Sequence, residues 1–556
     1  MSKDKISLEK ERLRALFGEN KELQEDPDKA HSIKCHNGVF VPKVIDTVSI
    51  FRGIPFALPP INERRWKKPV PVSKSDKIYE AYYNGKSPIQ TVIDSERASY
   101  YPQSEDCLYL NVWVNDACKD KNKPIMVFIH GGAYGWGGTA DPLYDGFNFI
   151  KLHPEVILIT IAYRVGLFGF IDLSYLKGGE EFKDAPNLGI YDQIEALRWI
   201  HSNGEAFGGD INNVTIFGES AGGGSVSILP LVKEAKGLFH RVIAESGSLA
   251  LTYAKDECKS FTDKLIKAAK TDSMDDLMKL STEQLAKLNE DLNEANNFPM
   301  RDGELIPLNP YEPYLKGETK DIDMMMGSNA NEINYWIGEL GGLFNYCAGM
   351  PFKYKNDISK LSKEDKQFVK EFMRNTKGNK ITRISEFYNE MMFRLPMIYQ
   401  AEGHSSNNGN FYMYYWKEES KIPLYKACHA VELAYVFYNI DETIYIGEKA
   451  DEELARTVSN MWVEFAKTGN PSLEGISWSK YDIKNRKTMT FKKGEVKEEN
   501  DILNKQRETL FPIVKYMINP GYADIAENLS VLDKTGAAIN AALSCISTLV
   551  QENIIK

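Results

Sequence analysis

The stretch "VTIFGESAGGGSV", Val214–Val226, places a serine between glycines at the end of an apolar run. Val214–Phe217 is rich in β-forming residues and predicts a buried strand. Gly218 and Gly222 lack Cβ atoms, so a strand and a following helix can approach closely there. Strand, tight turn and helix form the context of the Gly-x-Ser-x-Gly nucleophile elbow, which makes Ser220 a candidate nucleophile. A Gly/Ser-rich loop that fits the pattern by chance is the alternative.

Composition and charge narrow the class of protein. The chain has 556 residues, 43% of them hydrophobic and 26% charged, with a net charge of −10. This is the balance of a soluble globular protein, and without a basic stripe we expect no nucleic-acid partner. No apolar run reaches the roughly 18 residues of a membrane span, and the first twenty residues lack the apolar core of a secretory signal. We therefore expect a cytoplasmic protein.

The seven cysteines support the same expectation. They are scattered along the chain, without Cys-x-x-Cys or Cys/His ligand spacing. We expect reduced thiols and neither a disulfide framework nor a metal site.

Short apolar runs alternate with helical patterns along the chain. Because several runs are apolar throughout, they predict strands buried on both faces of a parallel sheet that helices cover on both sides. Two long, mainly helical segments, near 255–298 and 334–405, are too long for plain loops. We interpret them as insertions that form a gorge or lid on a single domain spanning 1–556. The predicted strands are Ile125–Ile129, Val156–Tyr163, Val214–Phe217, Arg241–Ser246, Met324–Met326 and Phe411–Trp416.

A second glycine-rich loop, "IHGGAYGWGG" (Ile129–Gly138), directly follows a predicted strand. Backbone N–H groups in such a loop can stabilise an oxyanion, each lowering the barrier by about 3 kcal/mol. We interpret His130 as shaping this loop, because the amides supply the chemistry. Glu219, next to Ser220, is a tempting second acid, but a buried structural carboxylate is the simpler interpretation.

A serine nucleophile needs a base, and the base needs an orienting acid. His429, in "KACHAVELAYVF", and Glu332, in "GSNANEINYW", each follow a predicted strand, where open α/β sheets place their sites. The chain order serine, acid, histidine is that of the α/β-hydrolases. Spacing alone leaves Glu304 and His404 as alternatives.

With these residues the sequence resembles the type-B carboxylesterases, the cholinesterase-like branch of the α/β-hydrolases, over roughly residues 31–525. The resemblance is to an intracellular, bacterial-type member. Further blocks that carry it are "FRGIPFALPP" (Phe51–Pro60), "SEDCLYLNVW" (Ser104–Trp113), "NLGIYDQIEALRWI" (Asn187–Ile200), "RDGELIP" (Arg301–Pro307) and "FAKTGNPS" (Phe465–Ser472).

The resemblance implies an α/β-hydrolase fold with a large, mostly parallel central sheet, a Ser-His-Glu triad and no cofactor or metal. The implied triad is Ser220, Glu332 and His429, and the implied oxyanion-hole amides are those of Gly132, Ala133 and Ala221. Ala133 departs from the glycine common in the family but keeps its amide. Cys107 lacks the cysteine partner that secreted relatives carry in the preceding loop, as an intracellular member would.

The leading functional hypothesis is therefore a carboxylic ester hydrolase that acts on a small-molecule ester through an acyl-enzyme. An amidase or acyl transferase with the same triad is the alternative, and competing acceptors in a product assay would distinguish it. A non-catalytic, adhesion-type homologue is disfavoured, because such a site usually loses its serine.

The C-terminal residues 526–556 have no counterpart in the family. Their apolar residues recur at steps of three, four or seven, which predicts an amphipathic helical extension. This helix either caps the hydrolase core or binds a second subunit, and the oligomeric state is left open. The apolar residues are Leu532, Ile539, Leu543, Ile546 and Val550.

Overall fold

A computed structural model of the protein describes residues 3–91, 97–292, 298–338, 340–518, 531–551 and 554. Within these residues, all strands join one sheet. The strands are β1 (Glu22–Leu23), β2 (Ile33–Cys35), β3 (Gly38–Ile45), β4 (Val48–Pro55), β5 (Ile78–Ala81), β6 (Tyr109–Asn115), β7 (Lys123–Ile129), β8 (Ile157–Ile161), β9 (Gly209–Glu219), β10 (Arg241–Glu245), β11 (Asp323–Asn329), β12 (Phe411–Trp416), β13 (Lys487–Lys492) and β14 (Glu495–Asn500).

Helices connect these strands. The α-helices are α1 (Lys3–Arg14), α2 (Gly146–Leu152), α3 (Gly166–Gly169), α4 (Leu188–Asn203), α5 (Ala221–Ile228), α6 (Lys255–Ala269), α7 (Met274–Lys279), α8 (Thr282–Asp291), α9 (Glu312–Leu315), α10 (Asn334–Ile337), α11 (Leu340–Ser359), α12 (Asp365–Asn375), α13 (Lys380–Tyr388), α14 (Leu395–Ser406), α15 (Leu433–Val436), α16 (Glu452–Thr468), α17 (Asn504–Leu510) and α18 (Val531–Gln551). A π-helical turn covers Asn389–Arg394, and short 3-10 turns cover Asn62–Arg64, Arg97–Tyr100, Pro142–Tyr144, Gly179–Phe182, Ala185–Asn187, Gly204–Phe207, Leu229–Leu231, Lys233–Ala235 and Phe511–Tyr516.

The centre of the sheet is parallel, and its outer strands are mostly antiparallel. The strand order is β1-β5-β3-β4-β6-β8-β7-β9-β10-β11-β12-β13-β14, with β2 beside β3. Every neighbouring pair from β8 to β13 is parallel. All five residues of β8 are buried, because helices cover both faces. The predicted α/β-hydrolase fold is confirmed.

The six predicted strands all occur: β12 has its predicted bounds, and the other five differ at one or both ends. β9 is the largest difference, because it starts at Gly209 rather than at Val214. Its polar first half pairs with Lys123 and Pro124 of β7, beyond a shift in register. Since these residues carry no apolar pattern, periodicity could not reveal them.

The carboxyl ends of the central strands lie level with one another. Ile129 of β7 pairs with Gly218 of β9, which in turn pairs with Ala244 of β10. Ala244 pairs with Met326 of β11. The loops that leave these four strands therefore start at one edge of the sheet, where open α/β folds place their sites.

The two long connections at this edge are helical. α6–α9 link β10 to β11, and α10–α14 with the π-helical turn link β11 to β12. Helices α6–α8 pack in an apolar cluster of their own with residues 167–188. The buried residues of α11–α14 instead join the main core cluster.

The C-terminal helix α18 packs on α11 and α13. Ala541 and Leu549 are buried, and Asn379, at the start of α13, donates a hydrogen bond from Nδ2 to Thr548 Oγ1 (3.1 Å). Residues 526–530 and the side chain of Leu532 lie outside the described residues. The remaining stripe residues predicted from the sequence point away from this contact and are exposed: Ile539, Leu543, Ile546 and Val550.

Two glycines allow β7, β9 and α5 to touch. A methyl group on Gly222, in α5, would lie 1.9 Å from the carbonyl oxygen of Ile129, the last residue of β7. A methyl group on Gly218 would lie 2.6 Å from the same oxygen. Real Cβ atoms do not approach backbone oxygens so closely, so the elbow requires both glycines.

We expect Gly222→Ala to lower the free energy of unfolding by about 3 kcal/mol or more, because the methyl group forces the backbone of β7 and α5 apart. Gly536→Ala in α18 is the matched control, since no atom lies within 4 Å of its added methyl group. The control should gain up to about 1 kcal/mol from helix propensity. Urea denaturation of both variants tests this, and equal stabilities would contradict the close approach.

Candidate active site

Ser220 occupies a strained turn between β9 and α5. Its backbone angles are φ 58° and ψ −118°, a conformation that costs a non-glycine residue about 1–3 kcal/mol. Two hydrogen bonds hold it there: Ser220 N–H donates to Glu245 O (2.8 Å), and Ser220 O accepts from Gly224 N–H (2.8 Å). This is the geometry of a nucleophile elbow, with a part-exposed serine at the sheet edge.

Glu332 and His429 meet at the same edge, beyond the ends of β11 and β12. His429 Nδ1 lies 2.6 Å from Glu332 Oε2. The other oxygen, Oε1, accepts hydrogen bonds from Ser246 Oγ (2.7 Å) and from Asn329 N–H (2.7 Å). Since Glu332 is fully buried, these three contacts fix both the carboxylate and the imidazole it faces.

The second ring nitrogen of His429 faces Glu219. Nε2 lies 3.1 Å from Glu219 Oε1, yet neither atom has a partner with hydrogen-bond geometry. Trp336 and Phe393 pack on the imidazole, each with its ring centroid 5.2 Å away. The imidazole is thus flanked by two aromatic rings, and its Nδ1 faces Glu332 while Nε2 has no hydrogen-bond partner among the described residues.

The alternative acid and base from the sequence lie elsewhere. Glu304 is on the surface, where its carboxylate pairs with Lys183 Nζ (3.2 Å). His404 is buried in α14, and its Nδ1 lies 3.0 Å from Thr319 Oγ1. Of the candidate acid–base pairs, the fold therefore brings together Glu332 and His429.

The glycine-rich loop after β7 runs against Ser220. A methyl group on Gly131 would lie 3.0 Å from Ser220 Cβ. Gly132 and Ala133 have φ angles of 102° and 51°, which turn their amides out of any regular ladder. Among the described residues, the N–H groups of Gly132, Ala133 and Ala221 have no hydrogen-bond acceptor.

His130 is built into this loop. Its ring stacks on Tyr163 at 4.4 Å, and its Nδ1 lies 2.8 Å from Gly131 O. Burial lowers the pKa of His130 to about 4, so it stays neutral at neutral pH. Its contacts are with the glycine-rich loop and with Tyr163, which lies two residues after the end of β8. Such contacts are expected of a residue that shapes the loop.

Four buried glutamates surround this region, two of which the sequence analysis did not single out. Glu219, Glu245, Glu332 and Glu432 are all buried. Burial, followed by repulsion from the other carboxylates, raises the pKa of Glu219 and of Glu432 well above the usual range. Burial raises the pKa of Glu245 to about 8, although Trp462 Nε1–H donates to its Oε1 (2.5 Å). The shifts favour the protonated form of all three groups, and Glu245, with a pKa of about 8, is mostly protonated at neutral pH.

Weak sequence signals could have pointed to the missed residues. Glu245 and Ser246 stand at the carboxyl end of a buried strand, as Glu219 and Ser220 do. Glu432 follows His429 by three residues, one helical turn later, and Asn329 Nδ2–H donates to its Oε2 (2.5 Å).

Glu245 should make stability depend on pH. The ordinary pKa of the group, 4.5, rises to about 8 on folding, so its contribution is complete below about pH 4.5 and is lost as the pH approaches 8. Relative to wild type, we expect Glu245→Gln to gain stability between pH 5.5 and 7.5, by up to about 1.4 kcal/mol per pH unit. Urea denaturation at both pH values measures the difference, with Glu304→Gln as the exposed control. A gap between wild type and Glu245→Gln that stays constant with pH would contradict this.

Three further features of the described part of the chain concern metal ligands, membrane-spanning helices and cysteines. No group of three or more His, Cys, Asp or Glu side chains there could hold a metal ion. None of the helices that the structure describes could cross a bilayer. The seven cysteines are free, and burial raises the pKa of Cys35 to about 12.

Comparison with known proteins shows the family of the chain. The carboxylesterase family model matches residues 37–510. The para-nitrobenzyl esterase of Bacillus subtilis (strain 168) is 34% identical over 489 residues, which cover 83% of this chain and 94% of that protein. The acetylcholinesterase of Leptinotarsa decemlineata is 28% identical over 505 residues, which cover 78% of this chain and 77% of that protein.

Solved structures of esterases have the same fold. A thermophilic para-nitrobenzyl esterase superposes with a TM-score of 0.75 at 31% identity and covers 86% of this chain and 100% of its own. The Geobacillus stearothermophilus carboxylesterase superposes with a TM-score of 0.74 at 28% identity, with the same coverage.

Proposed function

The chain belongs to the carboxylesterase family and is a carboxylic ester hydrolase, and we propose that it acts through Ser220, His429 and Glu332 by way of an acyl-enzyme. The observation that carries the proposal is the 2.6 Å contact between His429 Nδ1 and Glu332 Oε2, beyond the same sheet edge as the strained Ser220. Its substrate is a small carboxylic ester, and the reaction uses no cofactor or metal.

In the first half of the reaction, His429 Nε2 takes the proton of Ser220 Oγ, and the oxygen attacks the ester carbonyl. Nε2 faces Glu219 Oε1 (3.1 Å) in the free enzyme, so the mechanism requires it to approach the Ser220 hydroxyl in the substrate complex, where catalytic contacts tighten. The amides of Gly132, Ala133 and Ala221 then donate to the oxyanion. Having no other acceptor among the described residues, these amides are available without rearrangement.

In the second half, His429 returns its proton to the leaving alcohol, and water repeats the attack on the acyl-enzyme. Glu332 stabilises the imidazolium formed in each half. Its remaining oxygen is held by Ser246 and by the amide of Asn329, so the carboxylate does not turn away as charge develops. The raised pKa of Glu219 favours its neutral form, which keeps a second negative charge away from the attacking serine.

The helical segments near 255–298 and 334–405 form the walls of the approach to Ser220. Trp336 of α10 and Phe393 of the π-helical turn, both from the second segment, pack on His429 and support this arrangement. We regard residues 1–556 as one hydrolase domain with these insertions and a C-terminal extension. The seven free cysteines support a cytoplasmic location.

An organophosphate should attach once, at Ser220, and abolish ester hydrolysis, because an activated serine beside an oxyanion hole attacks phosphorus as it attacks carbonyl carbon. Ser220→Ala should lose activity on the order of 10⁴-fold or more and should take up no label. Mass mapping of the labelled protein tests this. An adduct at another residue, or an active Ser220→Ala enzyme, would overturn the assignment.

Glu332→Gln should fold but turn over about 10²–10⁴-fold more slowly, because the amide keeps the shape of the carboxylate without its charge. Glu304→Gln is the matched control at the surface and should keep most of its activity. The two are compared at saturating ester, with circular dichroism to confirm the fold. Turnover by Glu332→Gln within about threefold of wild type, with Glu304→Gln inactive, would show that the wrong acid is named.

Glu219→Gln should turn over within about tenfold of wild type, since burial and neighbouring carboxylates raise the pKa of Glu219 and the amide resembles the favoured neutral acid. The contrast with Glu332→Gln is informative, because both glutamates lie within hydrogen-bond distance of the same imidazole. If the two variants lose turnover equally, Glu219 is ionised during the reaction.

A further inference from the structure

The outer face of α18 exposes large apolar side chains in a line. Ile539, Leu543 and Ile546 are 59%, 63% and 53% exposed, and Val550 is 49% exposed. On the opposite side, Ala541, Thr548 and Leu549 are buried against the rest of the chain. The helix is therefore already docked through one face, and a second apolar face has no cover among the described residues.

The exposed apolar residues form one narrow strip on this outer face. The four residues follow one another at steps of four, three and four, which is eleven positions in three helical turns. Over this short span they stay on one side of the helix and can face a single partner helix, whereas a face packed on a globular core is broader. We call Ile539, Leu543, Ile546 and Val550 the outer stripe.

Charge restricts what can cover the outer stripe. Residues 535–551 contain no charged side chain, although 26% of the whole chain is charged. Helices that bind lipid surfaces carry Lys and Arg on their polar face, and this helix has none in that stretch. A charged peptide would likewise find no counterion, whereas an identical uncharged helix meets no repulsion.

The apolar area that the outer stripe exposes suits a small interface between two copies of the chain. About half of each stripe residue is exposed, which leaves on the order of 400 Å² of apolar surface per copy, against the roughly 800 Å² per partner of a standard interface. The flanking exposed residues Ala538, Asn540, Ala542, Ser547 and Gln551 add uncharged surface. Twofold contact of the same patch on both copies closes the assembly.

We infer that the outer stripe of α18 docks a second copy of this chain, so that two α18 helices pack together about a twofold axis. Each helix then lies between its own α11 and α13 and the partner helix, with both of its apolar faces covered. The carboxylesterase family model ends at residue 510, so this contact uses a segment outside the matched region.

Sedimentation velocity across a concentration series of the full-length chain tests this inference. Wild type should sediment with twice the mass of one chain, and Leu543→Gln/Ile546→Gln should fall to the mass of one chain. Leu308→Gln/Leu315→Gln removes two exposed leucines elsewhere, 73% and 44% exposed, and should keep the doubled mass. Ester hydrolysis should be retained by all three proteins, which verifies that the variants are folded.

A single-chain mass for wild type at every concentration, or a doubled mass in the stripe variant, would overturn the inference. Loss of the doubled mass in the Leu308/Leu315 control would also overturn it. Flotation with phosphatidylcholine and phosphatidylglycerol vesicles tests whether the outer stripe binds a lipid surface instead of a second copy. If single-chain wild type floats and the stripe variant does not, the outer stripe binds lipid and the proposed dimer is wrong.

Discussion

The contact between Gly222 and the carbonyl of Ile129 is the constraint on which the site depends. It brings the end of β7, the end of β9 and the start of α5 together without intervening side chains. The glycine-rich loop and Ser220 thereby emerge next to each other, since a methyl group on Gly131 would lie 3.0 Å from Ser220 Cβ. A bulkier residue at Gly218 or Gly222 would separate Ser220 from the loop that carries the proposed oxyanion donors.

Electrostatics imposes the second constraint. Four buried carboxylates near one imidazole cannot all carry charge, because burial penalises each ion and the ions repel one another. The four differ in their hydrogen bonds: Glu332 accepts hydrogen bonds from Ser246 Oγ and from the amide of Asn329, and its other oxygen faces His429 Nδ1. Glu245 has one donor, Trp462, and its other oxygen has no partner among the described residues. The number of hydrogen-bond donors therefore differs between buried glutamates that lie in the same region.

Much of this arrangement was predictable, for reasons that differ between residues. The buried strands β7, β8 and β12 are recognisable in the sequence as continuous apolar runs. The nucleophile elbow is recognisable by its glycines. Preference for Glu332 over Glu304 needed the family resemblance, because both follow plausible element ends. Glu245 and Glu432 were missed, since a carboxylate's burial depends on strands and helices distant in the chain. The exposure of the stripe on α18 also escaped prediction, as periodicity reveals an apolar face but not what covers it.

The separation of Glu332 and His429 along the chain sets when activity can arise during folding. Ninety-seven positions separate the two partners, and the intervening residues form α10–α14 before the chain returns to β12 beside β11. The entropic cost of closing a loop rises only slowly with the length of the loop. Contacts between residues distant in the chain nevertheless form late in folding. Under the proposed mechanism, a chain whose sheet has formed only as far as β11 holds Ser220 and the amide loop but has no oriented base. Such an incompletely folded molecule is inactive under that mechanism, and hydrolysis requires nearly the whole architecture.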